Sequence, residues 1–235
     1  MRFLEVAIGL ASSVADKITV GPYDWAWKVK TDQEIAGFWR DAIGCRRCPT
    51  IAPWRKFPPE RRGTVRYRLM LIGEAPGRIS LENERPFSNP RNLVIRHAFS
   101  RAFGGRELED ALYMTDAVKC WPSSESGANR SPRSRELKTC IELHLLREVE
   151  IIKPRLIVAF GRMAASAVIK APFDLFAIHG TIVEGPGGMR VLPLTHPSTA
   201  NIVGMRRVGV RSIAEYEDRL VEIFRLNLGP LLTAA

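Results

Sequence analysis

The sequence lacks any apolar run near the ~18 residues needed to cross a bilayer, so no membrane-spanning helix is expected. It also lacks internal repeats and low-complexity tracts, which excludes solenoid and fibrous classes and leaves a globular chain. Cysteine is scarce, with four in 235 residues, too few for a disulfide-built secreted scaffold. Acidic residues are the other deficit: 25 Asp and Glu face 35 Lys and Arg, a net charge of +10. A surplus of that size favours a polyanionic partner, nucleic acid first. Residues 1–15 are mildly apolar, but Glu5 interrupts them and Asp16 and Lys17 follow. An unbroken signal-peptide core is therefore missing, and a cytoplasmic location is expected. In that reducing compartment, four cysteines read as metal ligands before disulfides.

The length suits one domain with a sizeable core. Residues 1–32 read as an N-terminal extension broken at Gly21-Pro22, and residues 33–235 as the domain. Residues 33–44 read as a short helix, and 45–67 as an irregular stretch rich in Pro and Arg. Four short apolar runs then follow at 68–73 (RLMLIG), 111–118 (ALYMTDAV), 155–161 (RLIVAFG) and 189–195 (MRVLPLT). Helical spacing separates or follows them at 92–103, 132–152, 161–169 and 212–226. This alternation predicts an α/β fold, a three-layer αβα sandwich around a central, mostly parallel four-stranded sheet.

In such sheets ligands bind outside the carboxyl ends of the strands. The rule selects Gly73-Glu74, Thr115-Asp116 and Thr195-His196, so two carboxylates and an imidazole are expected on one edge. Cys45 and Cys48 form a CxxC pair, with Cys120 and Cys140 remote and no cysteine left over. Four thiolates in that pattern can close a metal site, with four unrelated buried cysteines as the alternative, and the spacing does not separate zinc from an iron–sulfur cluster.

The motifs GEAPG (73–77), RPF (85–87), TDAVKC (115–120), ANRSP (128–132) and THPS (195–198) share one chain with the CxxC pair. In this order and at these distances they resemble the family-four, iron–sulfur branch of the uracil-DNA glycosylase superfamily. The resemblance runs from about Cys45 to His196. It implies a DNA-repair glycosylase that flips uracil out of single- or double-stranded DNA, hydrolyses its N-glycosidic bond and leaves an abasic site. The protein is expected to act as a monomer. The resemblance implies that Glu74 positions water, Phe87 stacks on the flipped base and His196 donates to uracil O2. Gly73, Ala75, Asp116 and Ser198 would complete base binding. Cys45, Cys48, Cys120 and Cys140 would hold a [4Fe–4S] cluster, with zinc as the alternative. Arg206, Arg207 and Arg211 are candidates for gripping phosphates, and Met205 or Ile202 for wedging into the base stack.

The chain departs from the family at Asp116, where asparagine reads uracil in TNVVKC. An ionised carboxylate accepts from N3–H but has no proton for O4. Burial that protonates Asp116, a backbone N–H at O4, or a different base would each resolve this. Residues 88–92 also replace the family's small residues after RPF and would reshape the pocket wall. Two alternatives stay open beside uracil excision. One is a glycosylase shifted towards hypoxanthine or xanthine, and the other is a non-catalytic member that binds damaged DNA.

Overall fold

The computed structural model of the protein describes residues 25–51, 53–197 and 204–233. Helix α1 (Trp25–Ile43) leads into an irregular stretch and strand β1 (Leu69–Gly73). Helices α2 (Arg78–Glu82) and α3 (Leu93–Ala102) precede β2 (Tyr113–Asp116). Helix α4 (Ser134–Cys140) continues through a π-helical turn (Ile141–Leu145) into α5 (Leu146–Ile152). Strand β3 (Leu156–Phe160), helix α6 (Arg162–Val168), strands β4 (Val183–Gly185) and β5 (Met189–Leu194) and helix α7 (Ile213–Thr233) complete the chain.

The strands form one sheet in the order β2-β1-β3-β5-β4. The first four in that order are parallel, and β4 pairs antiparallel with β5. Five strands therefore replace the four expected. The additional one, β4, has three residues and is half-exposed, so it carries no buried apolar run for a sequence to display. It covers Met189 to Val191 and leaves β5 open beyond them. Pro193, which has no N–H to give, sits in that open part.

Strand alternation divides the core into two. Leu69, Leu71, Val158 and Phe160 point to one face, where α3 and α7 bring Ile95, Phe99, Leu220 and Phe224. Met70, Ile72, Ile157 and Ala159 point to the other, where α1, α5 and α6 bring Phe38, Trp39, Ile152 and Ala165. Helices thus cover both faces, which is why the strands read as continuous apolar runs. Helix α1 begins at Trp25 rather than 33, so it crosses position 32, and Thr31 is already buried.

Beneath the carboxyl end of β2 lies a polar network closed to solvent. Lys119 and Glu148 form a fully buried ion pair. Tyr113 donates to Glu148 at 2.6 Å, and Lys119 donates to Thr115 Oγ1 at 2.7 Å and to the Asp116 carbonyl. The Arg62 guanidinium stacks 3.8 Å from the Trp39 ring centroid and reaches Met114 O. Breaking one partner of such a buried pair leaves an uncompensated charge, so the network holds the β2 end at one height.

Candidate active site

One cavity of about 600 Å³ opens at the carboxyl ends of β1, β2 and β5. Gly73, Glu74, Ala75, Phe87, Asp116 and His196 all line it. Beyond the strands, Ala117 N–H donates to Gly73 O at 2.8 Å and Val118 N–H to Glu74 O at 3.0 Å. These bonds fasten the GEAPG loop to the segment after β2 and aim Glu74 into the cavity. Burial raises the Glu74 carboxyl, against the lowering effect of a hydrogen bond from Ser131.

Gly73 leaves no room for a side chain. A Cβ there would lie 2.6 Å from Asp116 Oδ1 and 3.1 Å from Phe87 Cζ. The missing side chain thus lets the carboxyl and the ring stand against the strand end. Phe87 adopts a positive φ of 56°, a conformation that costs a non-glycine residue about 1–3 kcal/mol. Arg96 holds it there: its guanidinium donates to the Pro86 and Phe87 carbonyls and to both oxygens of Glu109, at 2.7 and 2.9 Å. Burial opposes the Glu109 charge, but hydrogen bonds from Arg96 and Arg85 outweigh it and hold that carboxyl at about 2.

Asp116 is almost fully buried, and burial lifts its carboxyl to about 6, against the pull of Arg62 and Lys119. The side chain is therefore mostly ionised at neutral pH but protonates readily. Burial, with Arg91 nearby, pushes the His196 imidazole down to about 4. A neutral ring has one N–H to donate and carries no charge into the cavity. Thr195, just before it, is clamped on both sides: its N–H donates to His179 Nδ1 at 3.1 Å, and the Tyr216 hydroxyl donates to its carbonyl.

Not every expected residue meets here. Arg206, Arg207 and Arg211 are exposed and do not line the cavity, and Arg207 pairs with Asp174 at 3.0 Å. Met205, expected as a wedge, is fully buried in the core below α7 and presents no surface to a duplex. Ser198 and Ile202 lie outside the described residues. The cavity wall also includes Asn89, Arg91, Asn92, Asn129 and Arg130. The changed segment after RPF and the ANRSP run were the signals for these, but neither says which side chain turns inward.

The four cysteines line a second, smaller pocket beside the cavity. Cys120 and Cys140 are buried, and Cys45 and Cys48 are partly exposed. Lys119 N–H donates to Cys140 Sγ at 3.2 Å. Burial raises the Cys140 thiol to about 12, with Cys120 and Cys48 adding to it and Lys119 opposing. Among the described residues, no three His, Cys, Asp or Glu side chains close on one point as ligands of a single ion. The π-helical turn starts at Ile141, directly after Cys140, where such turns often mark functional positions.

Fold and cavity define an α/β protein with an open cavity at the carboxyl ends of parallel strands, lined by a carboxylate, an aromatic ring and a neutral imidazole. Sequence comparison narrows this: a family model described as "Uracil DNA glycosylase superfamily" matches residues 61–213, and the chain belongs to that superfamily. A Type-4 uracil-DNA glycosylase from Pyrobaculum aerophilum is 32% identical over 126 residues, 54% of this chain and 60% of that protein. A Type-4 uracil-DNA glycosylase from Thermotoga maritima is 31% identical over 137 residues, 58% of this chain and 67% of that protein. A Type-5 uracil-DNA glycosylase from Pyrobaculum aerophilum is 29% identical over 203 residues, covering 74% and 86%. The chain thus spans about three fifths to two thirds of the length of the two Type-4 relatives. Among the described residues, no helix is long and apolar enough to cross a membrane.

Proposed function

We propose that the protein is a DNA-repair glycosylase that removes uracil from DNA. The observation that carries this reading is the convergence of Glu74, Phe87, Asp116 and His196 on one cavity at the strand ends. A base inside a duplex is unreachable, so the nucleotide must first swing out into such a cavity. Phe87 offers a ring face for stacking, worth roughly 1–3 kcal/mol per base. Asp116 accepts from N3–H, and neutral His196 donates to O2, where negative charge grows as the C1′–N1 bond breaks and its electron pair passes to the base. Glu74 stabilises the cationic sugar, orients a water molecule towards C1′ and accepts its proton. The products are free uracil and an abasic site, the entry point of base excision repair.

Arg91 at the cavity mouth, with Arg206, Arg207 and Arg211 after the THPS segment, supplies cations for the flanking phosphates. Cys45, Cys48, Cys120 and Cys140 would hold a [4Fe–4S] cluster, with zinc as the alternative. Four thiols spread around one pocket, with a backbone N–H directed at a sulfur, suit a cluster. The group's role would be structural, tying the irregular 45–67 segment to the cavity wall. The glycosylase unit takes in helix α1 from Trp25 onward, because that helix crosses the boundary expected at 32, and the protein works as a cytoplasmic monomer.

A second reading rests on Asp116, which stands where the family reads uracil with asparagine. A carboxyl there fits a shifted base such as hypoxanthine or xanthine. One assay separates the readings. The protein is incubated with oligonucleotides carrying a single uracil, hypoxanthine or xanthine, and abasic sites are cleaved with alkali. Uracil release is expected, with Glu74→Gln slower by roughly 100-fold or more. Release of only hypoxanthine or xanthine would transfer the assignment to the second reading, and release of none would end both.

A further inference from the structure

The ANRSP run (128–132) holds the GEAPG loop at two points. Asn129 Oδ1 accepts from the Arg78 N–H at 3.0 Å, one residue past the loop, and from Trp121 Nε1 at 2.7 Å. The Ser131 hydroxyl donates to the Glu74 carboxylate. Serine and glutamate both line the cavity at the strand ends. Ser131 itself has little freedom. Pro132 follows it and biases its backbone to extended angles. Arg130 precedes it and fixes its carbonyl, donating from Nη1 at 3.0 Å. The same guanidinium reaches the Ser123 and Thr50 carbonyls at 3.0 Å and both oxygens of Glu136 at 2.7 and 2.8 Å. Glu136 is buried in the first turn of α4, the helix that ends in Cys140. All three guanidinium nitrogens are therefore bonded, and the paired, charge-assisted bonds to Glu136 are of the strong kind. They make Arg130 a fixed post beside Ser131.

We propose that Ser131 is a positioning residue for Glu74, holding one carboxylate oxygen so that the other serves the water and the sugar. This rests on the glycosylase reading and adds the residue that sets its base. A carboxylate turns broadly about its last side-chain bond, and burial disfavours its charge. A hydroxyl on one oxygen opposes both, since it fixes the plane of the group and favours the ionised form. The free oxygen keeps its lone pairs for the attacking water. The bonds from the Ala117 and Val118 N–H groups do not supply this hold. They end on the carbonyls of Gly73 and Glu74, so they fix the backbone and leave the side chain free to turn. Asp116 and His196 are the other titratable groups lining the cavity, with Arg91 and Arg130 as its cations. Asp116 feels the Glu74 charge, so an anchored Glu74 also keeps the two carboxylates apart.

The test compares the full-length parent with Ser131→Ala, a change at an exposed side chain that leaves the core alone. Single-turnover excision from a uracil oligonucleotide is expected to slow about tenfold. The protein concentration that gives half the maximal rate should stay within about twofold, because the hydroxyl acts on Glu74 and not on the base. The Glu74 carboxyl carbon, labelled with carbon-13 and assigned by its loss in Glu74→Gln, should titrate at higher pH in the variant, since a lost donor disfavours the ion. An excision rate within about twofold of the parent overturns the proposal. So does a slowed variant in which Glu74 titrates where it does in the parent. A parent protein inactive on uracil would instead sink the glycosylase reading. The Glu74 titration then decides for Ser131: a raised midpoint in Ser131→Ala supports its hold on the carboxylate, and an unmoved midpoint overturns it.

Discussion

Gly73 and Asp116 are register partners at the ends of β1 and β2, and a Cβ on the glycine would lie 2.6 Å from the aspartate Oδ1. No carbon and oxygen approach so closely without one moving. Phe87 Cζ would lie 3.1 Å from the same Cβ. Gly73→Ala should therefore displace the carboxyl and the ring together. The expected result is a loss of excision of about tenfold or more, with a modest fall in melting temperature because the strand itself is unchanged. Full activity in Gly73→Ala would mean that the close approach serves nothing.

Asp116 makes stability depend on pH in a direction that can be worked out. Burial lifts its carboxyl from 3.8 to about 6 in the folded protein. Between these values the folded state binds the extra proton, so stability falls as pH rises through the window and stays lowered above it. Asp116→Asn removes that penalty. The variant should gain about 1–3 kcal/mol at pH 8, and the gain should shrink as pH falls towards 4. Denaturant melts at a series of pH values measure it. A loss at pH 8 would show that the charges of Arg62 and Lys119 depend on the carboxylate more than burial opposes it.

The Thr195 clamp should act on turnover more than on binding. His179, pushed down to about 4 by burial, stays neutral and keeps Nδ1 as an acceptor. Its ring stacks on Tyr216 at a centroid distance of 6.0 Å. Tyr216→Phe removes the bond to the Thr195 carbonyl without emptying the core. A fall of several-fold in kcat with KM nearly unchanged is expected, because His196 would lose its height and not its presence. An equal rise in KM would place the defect in substrate binding instead.

Cys140→Ser tests the thiol set. Iron and acid-labile sulfide in the anaerobically purified parent should stand near four of each per chain, as a [4Fe–4S] cluster requires. The variant should lose most of both and unfold at a lower temperature. Zinc in place of iron in the anaerobic parent would assign the site to zinc.

The strand pattern, the strand-end positions and the cysteine spacing are legible in the sequence alone. Runs such as LMLIG and LIVAF are apolar throughout because helices cover both faces of the sheet. The strand-end rule carried Glu74, Asp116 and His196 as candidates, and the family resemblance added Phe87. Other features are not local. Strand β4 pairs over three residues by an edge contact that no periodicity announces. The burial of Met205 depends on α7 packing above it, not on its neighbours in the chain. The ion pair of Lys119 with Glu148 joins residues far apart in sequence. The unpartnered Oδ1 of Asn92 lies where the RPF turn meets α3. Composition and spacing therefore determined the elements and the candidates. Tertiary packing decided which side chains were deprived of water and partners, because burial depends on what folds over a residue.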